Sequence, residues 1–207
     1  MTDRLDLFAG FSVSRETYQS LQAFGELVEK WNRAINLVSK STVEDLWSRH
    51  IVDSAQLFPL TEPGVRHWVD VGSGGGFPGI VVAVLAKELY PDLRFTLVEV
   101  DQRKAAFLRE ACRKLWLEAV VLSERIENIA PLEADVLSAR ALAPLSGLMK
   151  IADLHMTPGG TALFLKGSHY EAEVEAARND WAFDLTAIPS VTGNESAVLQ
   201  VKRIKHV

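Results

Sequence analysis

Cysteine is nearly missing from the 207-residue chain: Cys112 stands alone, so no disulfide can form within it, and a reducing, cytoplasmic setting is expected. Long apolar runs are missing too. The longest, Ile80 to Ala86, covers seven residues, against the roughly 20 that a helix needs to cross a bilayer. The opening Met-Thr-Asp-Arg-Leu-Asp has neither a basic start nor an apolar stretch, so no secretory leader and no membrane partner are expected. Positive charge is not in excess: 22 Lys and Arg face 27 Asp and Glu, for a net charge of −5 and a pI near 5.6. That balance argues against nucleic-acid binding by bulk charge but leaves room for a local basic face. Internal repeats and low-complexity segments are absent. What is plentiful is apolar side chain, 48% of residues with a mean hydropathy of +0.07, enough for one domain with a sizeable core.

The densest signal lies at residues 67–79, His-Trp-Val-Asp-Val-Gly-Ser-Gly-Gly-Gly-Phe-Pro-Gly. Val69 to Val71 read as a buried strand, and the glycines after it let backbone approach a ligand closely. Pro78 suits the first turn of a helix, which Ile80 to Ala86 continue. Strand, glycine turn and helix together form the entrance to a nucleotide-type pocket.

Before this turn the pattern is helical. Ser14 is a candidate N-cap for a helix over 14–39, with Leu21, Phe24, Val28, Trp31 and Ile35 on one face. Thr42 and Asp45 resemble a capping box opening a second helix to about Phe58, its apolar face Trp47, Ile51, Ala55 and Phe58. Pro59, Pro63 and Gly64 break the chain, so residues 1–64 read as a helical extension and 65–207 as the main domain. Strands are predicted at 67–72, 94–100, 119–123, 134–139 and 161–166, with helices between them, notably 101–116. A helix near 170–180, a weaker strand near 184–191 and a last strand at 197–204 follow. Repeated βα units imply an α/β fold with a mostly parallel sheet, whose ligands bind beyond the carboxyl ends of the strands.

Two templates fit the glycine turn. Gly74 to Gly79 satisfies G-x-G-x-x-G, with Glu99 at a spacing suited to a ribose-binding carboxylate, a dinucleotide pattern. Asp70-x-Gly72-x-Gly74-x-Gly76 instead resembles motif I of class I methyltransferases that use S-adenosylmethionine (SAM). That cofactor has no pyrophosphate needing a helix N-terminus, and its α-ammonium suits a carboxylate such as Asp70, directly or through water. The tail supplies two final strands, one antiparallel, and Pro158-Gly159-Gly160 resembles a turn common in these enzymes. Both favour SAM over a nicotinamide cofactor.

Five segments then occur together and in order: Lys30-Trp-Asn-Arg-Ala-Ile-Asn36-Leu37, Arg49-His50-Ile-Val-Asp53-Ser54, Asp70 to Gly79, Ser138-Ala-Arg140-Ala141 and Leu165-Lys166-Gly167. Over roughly residues 20–205 the chain resembles the bacterial small-subunit ribosomal RNA methyltransferase family RsmG, or glucose-inhibited division protein B. The resemblance implies a Rossmann-like seven-stranded sheet and SAM-dependent formation of 7-methylguanosine in 16S ribosomal RNA. It also implies cofactor contacts from Gly72, Gly74, Phe77, Glu99, Ile126, Glu127 and Arg140. Ser73 and Phe77 stand where relatives can have threonine and leucine, and Glu99 where aspartate would also serve.

The chemistry agrees with what is present. Methylation of exocyclic amines commonly goes with an Asn/Asp-Pro-Pro-aromatic motif after strand four, where this chain has Ser138-Ala-Arg140-Ala-Leu-Ala-Pro144. Carbon-5 methylation needs a cysteine nucleophile, whereas Cys112 lies between Leu108 and Leu115 on a helix face suited to the core. Guanine N7 already carries a free lone pair, so the enzyme need only align it and exclude water. Arg140 is the candidate catalytic residue, and His50, Asp53 and Lys166 are the candidate substrate-binding residues. His50 and Asp53, at i and i+3, can also hydrogen-bond each other and fix the helix that carries them. Local RNA contacts are sought at Arg33, Lys40, Arg49, Lys166, Lys202, Arg203, Lys205 and His206; the basic run from Arg103 to Lys114 is read as a solvated helix face. No metal is expected, and the protein is expected to be monomeric. The rival readings are a methyltransferase of small molecules or proteins and a SAM-binding module without turnover.

Overall fold

The computed structural model describes residues 4–8, 10–193 and 195–207; the first three residues, part of the opening on which the leader reading rests, and the side chain of Lys40 lie outside the described part. The chain begins with a hairpin, β1 (Arg4–Phe8) and β2 (Phe11–Ser14), where a wholly helical extension was expected. Leu7 and Val13 are its buried residues, and Gly10 turns the chain at φ +83°. Glu88 pins this hairpin by accepting from Ser14 N, Thr17 Oγ1 and Arg4.

Helix α1 (Arg15–Asn32) starts as predicted, with Ser14 Oγ accepting from Thr17 N at 3.2 Å. It stops short of residue 39 because Asn32 Oδ1 accepts the N–H groups of Leu37 and Val38 and turns the chain. The expected second helix is broken into a single turn α2 (Lys40–Val43), a π-helical segment Trp47–Val52, the short α3 (Asp53–Ala55) and a 3-10 turn Phe58–Leu60. Thr42 does not cap it: Ser39 holds the N-cap position, and Thr42 Oγ1 donates back to Ser39 O. The carbonyls of Arg49 and His50 accept from Arg140 and Ser54 Oγ, which accompanies the wider π turn.

The remaining elements alternate: β3 (His67–Val71), α4 (Gly79–Leu89), β4 (Arg94–Val98), α5 (Gln102–Leu115), β5 (Ala119–Leu122), β6 (Ala134–Arg140), α6 (Leu145–His155), β7 (Met156–Lys166), α7 (Tyr170–Ala177), β8 (Trp181–Pro189) and β9 (Ala197–His206). They form a seven-stranded sheet in the order β5-β4-β3-β6-β7-β9-β8, parallel except for β9, which is antiparallel to both its neighbours. This is the mostly parallel α/β sheet that the sequence predicts. Pro158 and Gly159 bulge from β7, whose pairing with β6 shifts between Ala134 and Val136.

Two apolar layers cover the sheet. One joins Leu21, Phe24 and Val28 of α1 to Ile80 and Val84 of α4 and to Phe107 and Cys112 of α5. The other packs Leu148 and Met149 of α6 and Val174 of α7 against Leu137, Phe164 and Leu199. The N-terminal segment thus shares one core with the α4–α5 face. No helix among the described residues is long and apolar enough to cross a membrane.

Candidate active site

Strands β3 and β6 are neighbours at the centre of the sheet, and their carboxyl ends deliver Asp70 and Arg140 to the same rim. Between β3 and α4 the glycine turn runs through Gly72 at φ +68° and Gly76 at φ +85°, conformations that a side chain would strain. A Cβ at Gly72 would meet Leu142 Cδ1 at 2.6 Å, so the missing side chain is what lets Leu142 seat against the turn.

Asp70 is fully buried beneath this turn. Its Oδ1 accepts from Ser138 Oγ at 2.7 Å and its Oδ2 from Gly79 N at 3.2 Å, while Trp68 Nε1 donates to Ser138 Oγ at 2.8 Å. Burial pushes the Asp70 carboxyl up to about 6, against the hydrogen bonds that favour its charge. Glu99, just past β4, holds the other side: Oε2 accepts from Gly74 N at 2.7 Å and Oε1 from Asp101 N at 2.8 Å.

A cavity of about 350 Å³ opens beside the turn, lined by Gly72, Gly74, Glu99, Ile126, Glu127, Arg140 and Leu142 among others. Six of the residues implied as cofactor contacts therefore meet in one place. Two do not. Asp70 has no exposed surface, so direct contact with a ligand is replaced by a hold on the turn from below. Phe77 is 3% exposed, its ring packed between Phe24 and His50 with the Arg140 guanidinium 5.2 Å above it. It supports Arg140 and does not line this cavity.

A second cavity of about 790 Å³ adjoins the first, and Arg140, Ala141 and Leu142 line both. His50, Asp53, Lys166, Ser190 and Thr192 also face it. His50 and Asp53 do not bond each other, contrary to the pairing their spacing suggested, because each has a nearer partner. His50 Nε2 lies within hydrogen-bond distance of Thr42 Oγ1, at 2.9 Å. Its Nδ1 is buried without a partner among the described residues. Burial first, then the positive charges of Arg140 and Arg49, lower the His50 pKa to about 4, which keeps the ring neutral.

Asp53 Oδ1 accepts from Gln56 Nε2, Ser190 Oγ and Thr192 Oγ1, and its Oδ2 lies 3.7 Å from the Arg140 guanidinium. Arg140 also donates to Arg49 O at 3.3 Å, and its burial lowers its pKa from the usual guanidinium value. Lys166 is not a free cation. Its side chain is 8% exposed, and Nζ donates to Ala143 O at 2.7 Å and to Glu173 at 2.6 Å, so its charge is already paired within the protein.

Of the other basic candidates, Arg33 and Arg49 are exposed, whereas Lys202 pairs with Glu62 and Arg203 with Asp184. Cys112 is buried and its thiol is pushed up to about 11, as befits a core residue. The described residues contain no cluster of three or more His, Cys, Asp or Glu that could hold a metal. Sequence reasoning missed Leu142, Ser190, Thr192 and Glu173. The first three lie in loops whose course depends on distant strands, and Glu173 sits in an acidic helix that reads as solvated.

Comparison with known proteins agrees with this geometry. Residues 17–199 match the family described as rRNA small subunit methyltransferase G. A ribosomal RNA small subunit methyltransferase G from Cereibacter sphaeroides is 50% identical over 201 residues, 97% of this chain and 98% of the relative. Its counterpart from Ruegeria pomeroyi is 50% identical over 95% of this chain and 96% of its own. Among solved structures, a magnesium protoporphyrin IX methyltransferase from Synechocystis with bound SAM superposes with a TM-score of 0.58 at 10% identity. It covers 87% of this chain and 97% of that one, and shows the class I methyltransferase fold.

Proposed function

We propose, for a chain that belongs to the rRNA small subunit methyltransferase G family, that it transfers the methyl group of SAM to N7 of a guanine in 16S ribosomal RNA. The coarser activity is established by that membership: the protein is a SAM-dependent methyltransferase of small-subunit ribosomal RNA. The observation that supports transfer from a cofactor to a separate acceptor is the meeting of two cavities along Arg140, Ala141 and Leu142, beside a glycine turn that backs one of them; guanine N7 as that acceptor follows from the family resemblance of the sequence.

The residues present fit the cofactor. The turn offers backbone without side chains, and Glu99, Glu124 and Glu127 bring carboxylates to the cavity wall, suited to a cationic ligand and its ribose hydroxyls. SAM, when bound, supplies an electrophilic methyl group on a sulfonium. In this reading Gly72, Gly74, Glu99, Ile126 and Glu127 hold it, and Asp70 acts indirectly by fixing the turn.

The larger cavity takes the base, which must be unpaired or flipped out of its helix to enter. Arg140, held by Phe77, Asp53 and the carbonyl of Arg49, orients the acceptor at the junction. Asp53 contributes carboxylate acceptors there, and the neutral His50 ring shares the same wall. Such acceptors favour the positive charge that the purine ring gains as the methyl arrives. N7 carries no proton, so the transfer calls for alignment and exclusion of water and no proton has to be removed. We take residues 1–64 as the cap of a methyltransferase domain over 65–207, in a cytoplasmic monomer. Labelled SAM with small ribosomal subunits from a strain lacking this modification is the direct test. RNA-dependent incorporation supports the reading, and turnover with only small molecules or proteins refutes it.

A further inference from the structure

The loop that separates the two cavities, residues 141–144, is tied down from behind. Lys166 at the end of β7 donates from Nζ to Ala143 O at 2.7 Å. The same ammonium lies 2.6 Å from Glu173 Oε2 on α7, and that oxygen also accepts from Leu145 N, the first residue of α6, at 2.7 Å. One carboxylate oxygen and one ammonium thus grip the loop at Ala143 and just beyond it at Leu145. At the other end of the loop Ala141 takes φ +50°, a conformation that L residues adopt only when neighbours impose it. Between the two ends, Leu142 leans on Gly72 and lines both cavities.

We propose that Glu173 and Lys166 are positioning residues: they fix the 141–144 loop, and through Leu142 and Arg140 the aperture joining the cofactor cavity to the acceptor cavity. The inference rests on reading those cavities as the two substrate sites. Lys166 has its Nζ directed to Ala143 O and Glu173 and is largely buried, so its charge serves the protein's own loop and not RNA phosphate. Loosening the pair leaves Gly74, Glu99 and the Ile126–Asn128 turn in place, so cofactor affinity survives while alignment between the cavities is lost.

The full chain carrying Glu173→Ala, Lys166→Met or both is compared with the parent in three measurements. These are SAM affinity by calorimetry, single-turnover methyl transfer at saturating SAM, and amide hydrogen exchange. Each single variant should bind SAM within about threefold of the parent while its transfer rate falls about tenfold or more. The double variant should be no slower than the slower single one, because both changes break one device. Exchange should rise at Leu145 and the adjoining first turn of α6 and stay unchanged in β3 and β4. Should Glu173→Ala fail to fold, Glu173→Gln keeps the side chain's shape and removes its charge.

A transfer rate within about threefold of the parent, or a rate loss matched by an equal loss of SAM affinity, overturns the proposal. Should the parent methylate no ribosomal RNA, the reading of the cavities fails. The exchange measurement still decides the clamp: unchanged protection at Leu145 in the variants overturns it.

Discussion

Asp70 and His50 are two titratable residues at the site whose burial shifts them in ways that can be measured. Burial lifts Asp70 from 3.8 to about 6, so between those pH values the folded chain keeps a proton that the unfolded chain has released. The stability so gained is complete below the unfolded value and is lost as pH rises through 6, about 3 kcal/mol in all. Urea unfolding of the parent and Asp70→Asn from pH 4 to 7.5 should show the parent's stability relative to the variant falling by most of that amount. A pH-independent difference would contradict the burial. His50 runs the other way, lowered from 6.5 to about 4 by burial. It costs stability as pH falls from 6.5 through the folded value and stays neutral throughout the neutral range. Transfer rates should therefore show no inflection near pH 6.5 that depends on this residue. An inflection there that disappears in His50→Phe would sink the assignment of a neutral ring. The sequence named both residues, but it put Asp70 against the cofactor and paired His50 with Asp53. Burial and long-range partners such as Ser138 and Thr42 decide those contacts, and neither is visible in local spacing.

Among the elements, the turn between β3 and α4 was the most legible, because its glycines answer to local backbone needs. Gly76 stands at φ +85° with Ile80 Cγ1 2.7 Å and Phe24 Cζ 2.9 Å from where a Cβ would sit, both in the core. Gly76→Ala should cost roughly 3 kcal/mol or more, strain and overpacking together. Gly72 is strained likewise, but its obstacle is the end of a half-exposed Leu142 that can swing aside, so Gly72→Ala should cost only about 1–2 kcal/mol. It should slow methyl transfer more than it lowers stability. Equal losses in the two variants by urea unfolding would contradict this packing. The hairpin β1–β2 was hidden for the opposite reason. Its alternation is only Leu5 and Leu7, then Phe11 and Val13, and its hold on Glu88 spans more than seventy residues of chain. The segment Trp47–Val52 kept its predicted apolar face in Ile51 but widened to a π turn under contacts from Arg140 and Ser54, which no helical period records.

At the scale of the whole molecule, alternating βα units and two closing strands were enough to predict the sheet, and β9 does run antiparallel beside β7. The site was legible in part: six implied contacts gather around one cavity, while Asp70 and Phe77 lie behind it and Lys166 is engaged by Glu173. In the proposed reading the glycine turn marks the cofactor side, and the acceptor side is assembled from the π segment, the β6–α6 loop and the residues after β8. Those pieces are far apart in sequence, so their chemistry became readable only once the chain was folded. The central claim is that this acceptor side presents guanine N7 to the methyl group. Its most direct test is to methylate small ribosomal subunits from a strain lacking the modification with labelled SAM, digest the 16S RNA to nucleosides and identify the labelled one. The account predicts 7-methylguanosine; label on a pyrimidine carbon or on an exocyclic amine would contradict it.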